Sequence, residues 1–204
     1  MTEQDLFLLL ALQKVELVGD VVAKKLLNQF ENPAEIFKAK ANDLTSIEGV
    51  GAILVRNLKD KSVFTKAESE LKFIQDNEIN VHFYKENSYP VKLKHCFDAP
   101  VLLFSSGNIN LKQPKIISIV GTRQVTSHGS EFCKNLIAEI APLNPIIVSG
   151  FAYGVDIVAH QAAMEHGLQT IGVLAHGLNQ IYPSSHKKYC KKMEENGGFM
   201  TEFW

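Results

Sequence analysis

The sequence predicts an α/β fold with an open parallel sheet, preceded by a small all-helical domain. Two apolar runs, residues 116–120 and 146–148, each break into a glycine-bearing turn that opens a helical segment. In residues 1–61, leucines and valines recur at three- and four-residue spacings, which is typical of packed helices. Turns that follow neighbouring parallel strands lie side by side at the carboxyl edge of a sheet, where α/β proteins bind ligands.

Composition narrows the classes of protein. The chain has 204 residues, which suggests one large domain or two small ones. Its apolar fraction of 46% is enough for a hydrophobic core, and its net charge is −1. A polyanion would therefore have to be held by local charge and backbone geometry. Three well-separated cysteines fit neither a disulfide framework nor a zinc site and favour a reducing, cytoplasmic location. The apolar run 6–12 is short and lacks a basic flank, so we expect a core helix and no membrane partner.

Residues 1–61 form the predicted helical domain. An Asn-Pro pair at 32–33 separates two of its helices, the second expected over 33–40. The turn Gly49-Val50-Gly51 precedes a further helix and resembles a helix-hairpin-helix element, in which glycine N–H groups approach a DNA phosphate. Because the flanking charges largely cancel, we favour a structural role for this turn over DNA contact.

Two further segments complete the predicted organisation. Residues 62–111 form a connecting region with a helix over 64–76 and short strands over 80–84 and 97–104. Residues 112–204 form the sheet domain, whose short connections imply parallel strands and right-handed crossovers. Its predicted elements are strands over 116–120, 146–148, 170–175 and 199–203, and helices over 128–141, from about 156 to 167, and over 186–195. Gly197 and Gly198 are expected to stop the last helix, and Ser184 or Ser185 to cap its start.

The first glycine turn carries the groups that an anion site needs. Gly121 lets the chain turn and approach an anion closely, and Thr122 adds a hydroxyl donor. Arg123 can hold a phosphate oxygen with two hydrogen bonds. A surface arginine at the end of a strand could also be a solvated charge, but a second glycine turn is predicted beside it. We therefore favour phosphate binding.

The second turn, residues 150–156, differs from a dinucleotide-binding fingerprint. Gly150 and Gly154 are four residues apart and the G-x-G-x-x-G spacing is absent, so binding of NAD is poorly supported. Tyr153 lies between the glycines. It could stack on a base of a single strand or pack over a neighbouring loop, and the sequence leaves both alternatives open.

Asp156 and His160 share a helix face, four residues apart. An acid–base pair is conceivable, but we favour Asp156 as a helix cap and His160 as a histidine hydrogen-bonded beneath the loop. The sequence shows no metal-ligand spacing and no catalytic triad, and His176 and His186 are too isolated to change this. Four lysines form a basic helical face, which is either a solvated surface or a basic wall beside the strand ends. They are Lys187, Lys188, Lys191 and Lys192.

In this order the motifs resemble the DprA/Smf family of DNA-processing proteins, over nearly the whole chain. The matching positions are 119–123, 148–156, Ala159, His160, Ala163, Gly167, 170–171, 173–174, Gly177, 182–183 and 201–202, with 89–90, 98–100 and the Gly49-Val50-Gly51 turn upstream. The resemblance implies a Rossmann-like domain behind a small helical domain of the sterile-alpha-motif or helix-hairpin-helix type. It also implies binding of single-stranded DNA without sequence preference, in natural transformation and recombination.

Further properties follow from the resemblance. Members load the RecA recombinase onto DNA, are candidates for homodimers, and are known neither as enzymes nor as cofactor proteins. By position, residues 121–123 with Ser149 and Gly150 form the phosphate pocket. With the motif residues, the predicted binding set is Gly121, Thr122, Arg123, Ser149, Gly150, Tyr153, Gly154, Gly177 and Lys187.

The chain departs from the family pattern in two places. The family usually has arginine at the position of Tyr153, so one phosphate contact is expected to be absent or replaced by stacking. The family's Rossmann-like domain normally continues past the position of Trp204, so we expect a C-terminally incomplete sheet, with RecA loading and dimerisation in doubt. Two alternatives stay open: a phosphoribohydrolase-like nucleotide-binding enzyme, whose P-G-G-x-G-T-x-x-E signature is absent, and a protein-interaction scaffold.

Overall fold

The computed structural model describes residues 1–112 and 115–204. The chain divides into two compact units, Met1–Leu102 and Leu103–Trp204. The predicted division into three parts, at residues 61 and 111, stays a prediction, because compact units defined by contacts need not coincide with domains predicted from sequence.

The first unit is mainly helical. Leu9, Leu10, Leu26 and Leu27 of the predicted apolar pattern are almost completely shielded from solvent, whereas Leu17, expected in the same pattern, is 60% exposed. The first helix begins with a capping box, in which Thr2 Oγ1 accepts from the Asp5 N–H at 3.1 Å and the Asp5 carboxylate accepts from the Thr2 N–H at 3.0 Å. The elements are α1 (Glu3–Gln13), α2 (Asp20–Gln29), α3 (Pro33–Lys38), α4 (Ala41–Thr45), α5 (Ala52–Asn57), α6 (Ser62–Asp76), β1 (Asn80–Phe83) and a 3-10 turn (Leu93–His95).

The predicted glycine hairpin connects α4 to α5. Gly49 has a φ of +89°, which favours glycine, and Gly51 is the N-cap residue of α5. Val50, between them, is buried, and Glu48 forms an ion pair with Lys25 at 2.8 Å. Val50 therefore anchors the turn to the first unit, while Gly49 and Gly51 stay exposed.

The second unit carries the sheet and its covering helices. The strands are β2 (Leu102–Gly107), β3 (Ile116–Ser118), β4 (Ile146–Ser149), β5 (Thr170–Val173) and β6 (Gly197–Thr201). The helices are α7 (Ser127–Ile140), α8 (Val155–Glu165) and α9 (Lys187–Glu195), with 3-10 turns at Ala141–Leu143 and Ser184–His186. None of the helices among the described residues is long and apolar enough to cross a membrane.

The strands of this unit lie in the order β2-β6-β5-β4-β3. The strands β3 to β6 are parallel to one another, which confirms the predicted α/β class. The exception is β2, which pairs antiparallel with β6, with Phe104 opposite Thr201. Because β2 enters the sheet ahead of the first crossover helix, the right-handed crossover rule does not fix its direction.

The last helix ends at Glu195, as predicted, but the strand after it begins earlier than expected. Gly197 and Gly198, expected only to stop the helix, are the first residues of β6, which was predicted to begin at residue 199. A Cβ atom on Gly198 would lie 1.9 Å from the carbonyl oxygen of Ser106 on β2. The glycines therefore allow β6 to approach its neighbours, a requirement that local sequence does not reveal.

Two apolar clusters hold the helices of this unit. One joins α7 and α8 to β4 through Cys133, Ile137, Ile147, Ala159 and Ala163. The small side chains of Ala159, Ala162 and Ala163 are almost completely buried, which lets α8 lie close to the sheet. The second cluster contains Phe151, Met164, Leu174, Met193 and Phe199.

Candidate functional site

The two predicted glycine turns contact each other at the carboxyl ends of β3 and β4. The backbone N–H of Val155 donates to the carbonyl of Thr122 at 3.1 Å, and the N–H of Ile119 donates to the carbonyl of Val148 at 2.9 Å. A Cβ atom on Gly154 would lie 2.1 Å from the Thr122 oxygen. The backbone of the second turn thus lies directly against that of the first.

Ser149 ties the two strands together below these turns. Its hydroxyl donates to the carbonyl of Ile119 at 2.6 Å, and the residue is buried. The hydroxyl hydrogen is therefore already used, and in an anion site Ser149 would fix the position of the turns.

Replacing Ser149 with alanine is expected to lower the free energy of unfolding by about 1–2 kcal/mol, because the Ile119 carbonyl loses the hydrogen bond from the buried Ser149 hydroxyl. Urea denaturation measures this change. The matched control is Ser118→Ala on the exposed part of β3, which should change stability by less than about 0.5 kcal/mol. Equal effects of the two substitutions would contradict the role given to the Ser149 hydroxyl.

The first turn exposes the residues that the anion hypothesis needs. Gly121, Thr122 and Arg123 are all solvent-exposed. A Cβ atom on Gly121 would lie 2.6 Å from a methyl group of Val155, so glycine allows the turn to pack against the start of α8. Within residues 1–112 and 115–204, the Arg123 guanidinium forms neither a hydrogen bond nor an ion pair and is available to a ligand.

Asp156 stabilises the second turn from within. Its Oδ2 accepts from the N–H of Ala152 at 3.3 Å and would lie 2.5 Å from a Cβ on Gly150. The N-cap residue of α8 is Gly154, so the expectation that Asp156 caps the helix is wrong. Asp156 lies one residue inside the helix, from where its carboxylate reaches back to the loop.

His160 lies beneath the same loop and is fully buried. Its Nε2 is 2.6 Å from the Gly150 carbonyl, which can only accept, so Nε2 carries the hydrogen. Its Nδ1 is 2.7 Å from Thr170 Oγ1. Burial lowers the pKa of His160 to about 4, so the imidazole is neutral near pH 7. Among the described residues Asp156 and His160 form no hydrogen bond with each other, which argues against an acid–base pair.

Tyr153 projects from the second turn and is 48% exposed. Its hydroxyl oxygen accepts from Ser185 Oγ at 3.1 Å, and its ring meets that of His186 at 5.0 Å with an interplanar angle of 74°. His186 is buried, and its Nδ1 donates to the carbonyl of Phe151 at 3.0 Å. Neither partner of Tyr153 was predicted, because each is more than thirty residues away in sequence and has no local pattern.

The last two predicted binding residues lie elsewhere in the unit. Gly177 follows β5 and is buried; a Cβ there would lie 3.2 Å from Trp204, so its closest neighbours are not the glycine turns. Lys187 is exposed at the start of α9, immediately after His186. The other three lysines of the predicted basic face are also exposed.

No group of three metal-ligating side chains occurs in the described parts of the chain.

The fold and these turns define a Rossmann-like α/β domain preceded by a helical region. The family model "DNA recombination-mediator protein A" matches residues 80–204, and a model for a SAM-like helix-hairpin-helix tandem matches residues 9–61. The chain belongs to the DNA recombination-mediator protein A family, also called DprA/Smf.

Individual relatives agree with this assignment. The chain is 33% identical to protein Smf of Borreliella burgdorferi over 136 residues, which cover 66% of this chain and 43% of that protein. It is similar to the X-ray structure of DNA processing protein A from Streptococcus pneumoniae, with 25% identity and a TM-score of 0.70 over 99% of this chain and 68% of the other. A structure of DNA processing protein A from Helicobacter pylori, described by its single-stranded DNA binding mode, matches 61% of this chain and 55% of that one, with 30% identity and a TM-score of 0.54. The chain thus spans less than half the length of the Borreliella protein.

Proposed function

We propose that this chain binds single-stranded DNA at the carboxyl edge of its parallel strands. The observation that carries the proposal is the exposed Arg123, whose guanidinium has no partner in the described part of the chain, on a glycine turn that packs against a second glycine turn. Family membership supports the nature of the ligand, since a relative from Helicobacter pylori is described by its binding of single-stranded DNA. Phosphate groups would lie on this face because it offers a fixed positive charge and closely approachable backbone.

The predicted residues take different roles in this proposal. Gly121, Thr122 and Arg123 contact phosphate, while Ser149, Gly150 and Gly154 set the shape of the two turns. Lys187 contributes positive charge from the start of α9, and Tyr153 offers a ring to a base. Gly177 supports the edge through its packing against Trp204. Asp156 and His160 hold the second turn from beneath.

The wider activity of the family is proposed for this chain on the strength of family membership alone. It comprises sequence-independent binding, a part in natural transformation and recombination, and loading of RecA, in the cytoplasm. Neither enzymatic turnover nor a cofactor is part of the proposal, and a homodimer is the proposed assembly. Release of free base from a nucleoside monophosphate would instead indicate the phosphoribohydrolase-like alternative.

Replacing Arg123 with alanine is expected to weaken binding of a labelled oligo-dT by about tenfold, a loss of about 1.4 kcal/mol. It should also reduce the slope of log affinity against log salt by about 1, because one phosphate contact is lost. Fluorescence anisotropy titrations between about 50 and about 200 mM salt measure both quantities.

The control is Lys115→Ala. Lys115 is an exposed residue just before β3, at the opposite end of the same strand, and its removal changes the net charge by the same amount. This variant should keep nearly the wild-type affinity. An Arg123→Ala protein with unchanged affinity and salt slope would show that the proposed site is wrong.

A further inference from the structure

We infer that His186 is a positioning residue that holds the Tyr153 ring for stacking against a nucleobase. Recognition at this edge would then require bases as well as phosphates. The inference rests on the proposed binding of single-stranded DNA and specifies which part of the strand the second turn contacts.

Tyr153 is held at two points. Its hydroxyl accepts a hydrogen bond from Ser185 Oγ at 3.1 Å, and its ring meets His186 nearly at a right angle, with centroids 5.0 Å apart. Edge-to-face contact is a favoured arrangement of aromatic rings. About half of the residue stays exposed. Its hydroxyl oxygen is engaged by Ser185, and its ring offers a face on which a base can stack.

The support beneath Tyr153 is rigid. His186 is only 4% exposed, and its Nδ1–H donates to the carbonyl of Phe151, in the same turn that carries Tyr153. The Phe151 ring contacts His186 at 5.3 Å and Phe199 of β6 at 4.9 Å, both nearly perpendicular. His186 therefore joins the turn to the core of the unit, and the ring orientation of Tyr153 is fixed before any ligand binds. A ring fixed in advance loses little side-chain entropy on stacking.

The turn that carries Arg123 lies against the turn that carries Tyr153. Arg123 adjoins the second turn, because a Cβ on Gly154 would lie 2.7 Å from the Arg123 carbonyl carbon. Lys187 follows His186 directly and is exposed. The two turns that a nucleotide strand would meet at this edge thus carry one component each, the Arg123 cation on the first and the exposed Tyr153 ring on the second.

The test compares two ligands of equal charge and length: a labelled oligo-dT and an oligomer of abasic tetrahydrofuran nucleotides. Wild-type protein is expected to bind oligo-dT at least about tenfold more tightly than the abasic oligomer, because stacking of one base on Tyr153 adds to the binding free energy. Tyr153→Leu, which removes the ring, should reduce this ratio to nearly 1. Tyr153→Phe, which keeps the ring, should retain most of the ratio.

His186 is tested by the same ratio, which a loss of general stability would not change selectively. His186→Ala should lower the ratio several-fold while the affinity for the abasic strand is unchanged, and His186→Phe, which keeps a ring at this place, should restore much of it. Ser185→Ala, at an exposed position, provides a variant that leaves the core intact and should lower the ratio to a smaller extent.

The outcomes separate this inference from the proposed function. Equal binding of both strands by wild-type protein would overturn the stacking role and leave the phosphate site standing. No binding of either strand would overturn the proposed function itself. A wild-type ratio in both His186→Ala and Ser185→Ala would show that Tyr153 is not positioned by these residues.

Discussion

Replacing Gly154 with alanine is expected to lower the free energy of unfolding by more than about 3 kcal/mol and to abolish binding at the two turns. Gly154 has φ +80° and ψ −126°, a conformation that is unfavourable for any residue with a Cβ. The added carbon would also lie 2.1 Å from the Thr122 oxygen and 2.7 Å from the Arg123 carbonyl. These neighbours are backbone atoms, so relief requires the first turn to move away from the second.

The control lies at the other end of the same helix. Gly167 also has a positive φ, +67°, but a Cβ there would meet no atom within 4 Å. Gly167→Ala should therefore lower the free energy of unfolding only by the cost of a left-handed backbone conformation, about 1–2 kcal/mol, and leave DNA affinity unchanged. Urea denaturation and oligo-dT titration of both variants make the comparison. Equal losses of stability would show that the clash with the first turn is unimportant.

The sequence predicts the elements of this edge well. Apolar runs that end in glycine predicted β3 and β4 to within two residues, and the turns at 121 and 150 do meet at the carboxyl edge. The parallel arrangement of β3 to β6 followed from alternation of strands and helices, because short crossovers permit few topologies. The helical character of the first unit was also predictable from the three- and four-residue spacing of its leucines, although α1 buries five consecutive residues and not one face.

Contacts between distant residues could not be predicted in the same way. The support of Tyr153 by His186 joins residues thirty-three positions apart, and nothing near His186 distinguishes it from an exposed histidine. The antiparallel pairing of β2 with β6 similarly depends on tertiary contact. Asp156 shows a subtler limit: its place near a helix start was correct, but the bond it makes depends on how the loop folds back over it.

Lowering the pH from about 6.5 to about 4 is expected to destabilise the protein through His160 by about 3 kcal/mol in total. The pKa of His160 is about 4 in the folded chain because the ring is buried, whereas an unfolded histidine has a pKa of about 6.5. Between these values the unfolded state binds a proton and the folded state does not. Acid therefore favours unfolding in this window, and stability due to His160 is fully present only above about pH 6.5.

The measurement is the free energy of unfolding in urea across this pH range, for wild type and for His160→Gln. The glutamine amide can still donate to the Gly150 carbonyl but does not titrate. The variant should be less stable than wild type at pH 7, and the difference should shrink as the pH falls, because only wild type loses the histidine contribution. His128→Gln removes an exposed histidine from α7 and should leave the wild-type pH dependence in place. Parallel pH profiles for wild type and His160→Gln would contradict the neutral, buried state of His160 beneath the second turn.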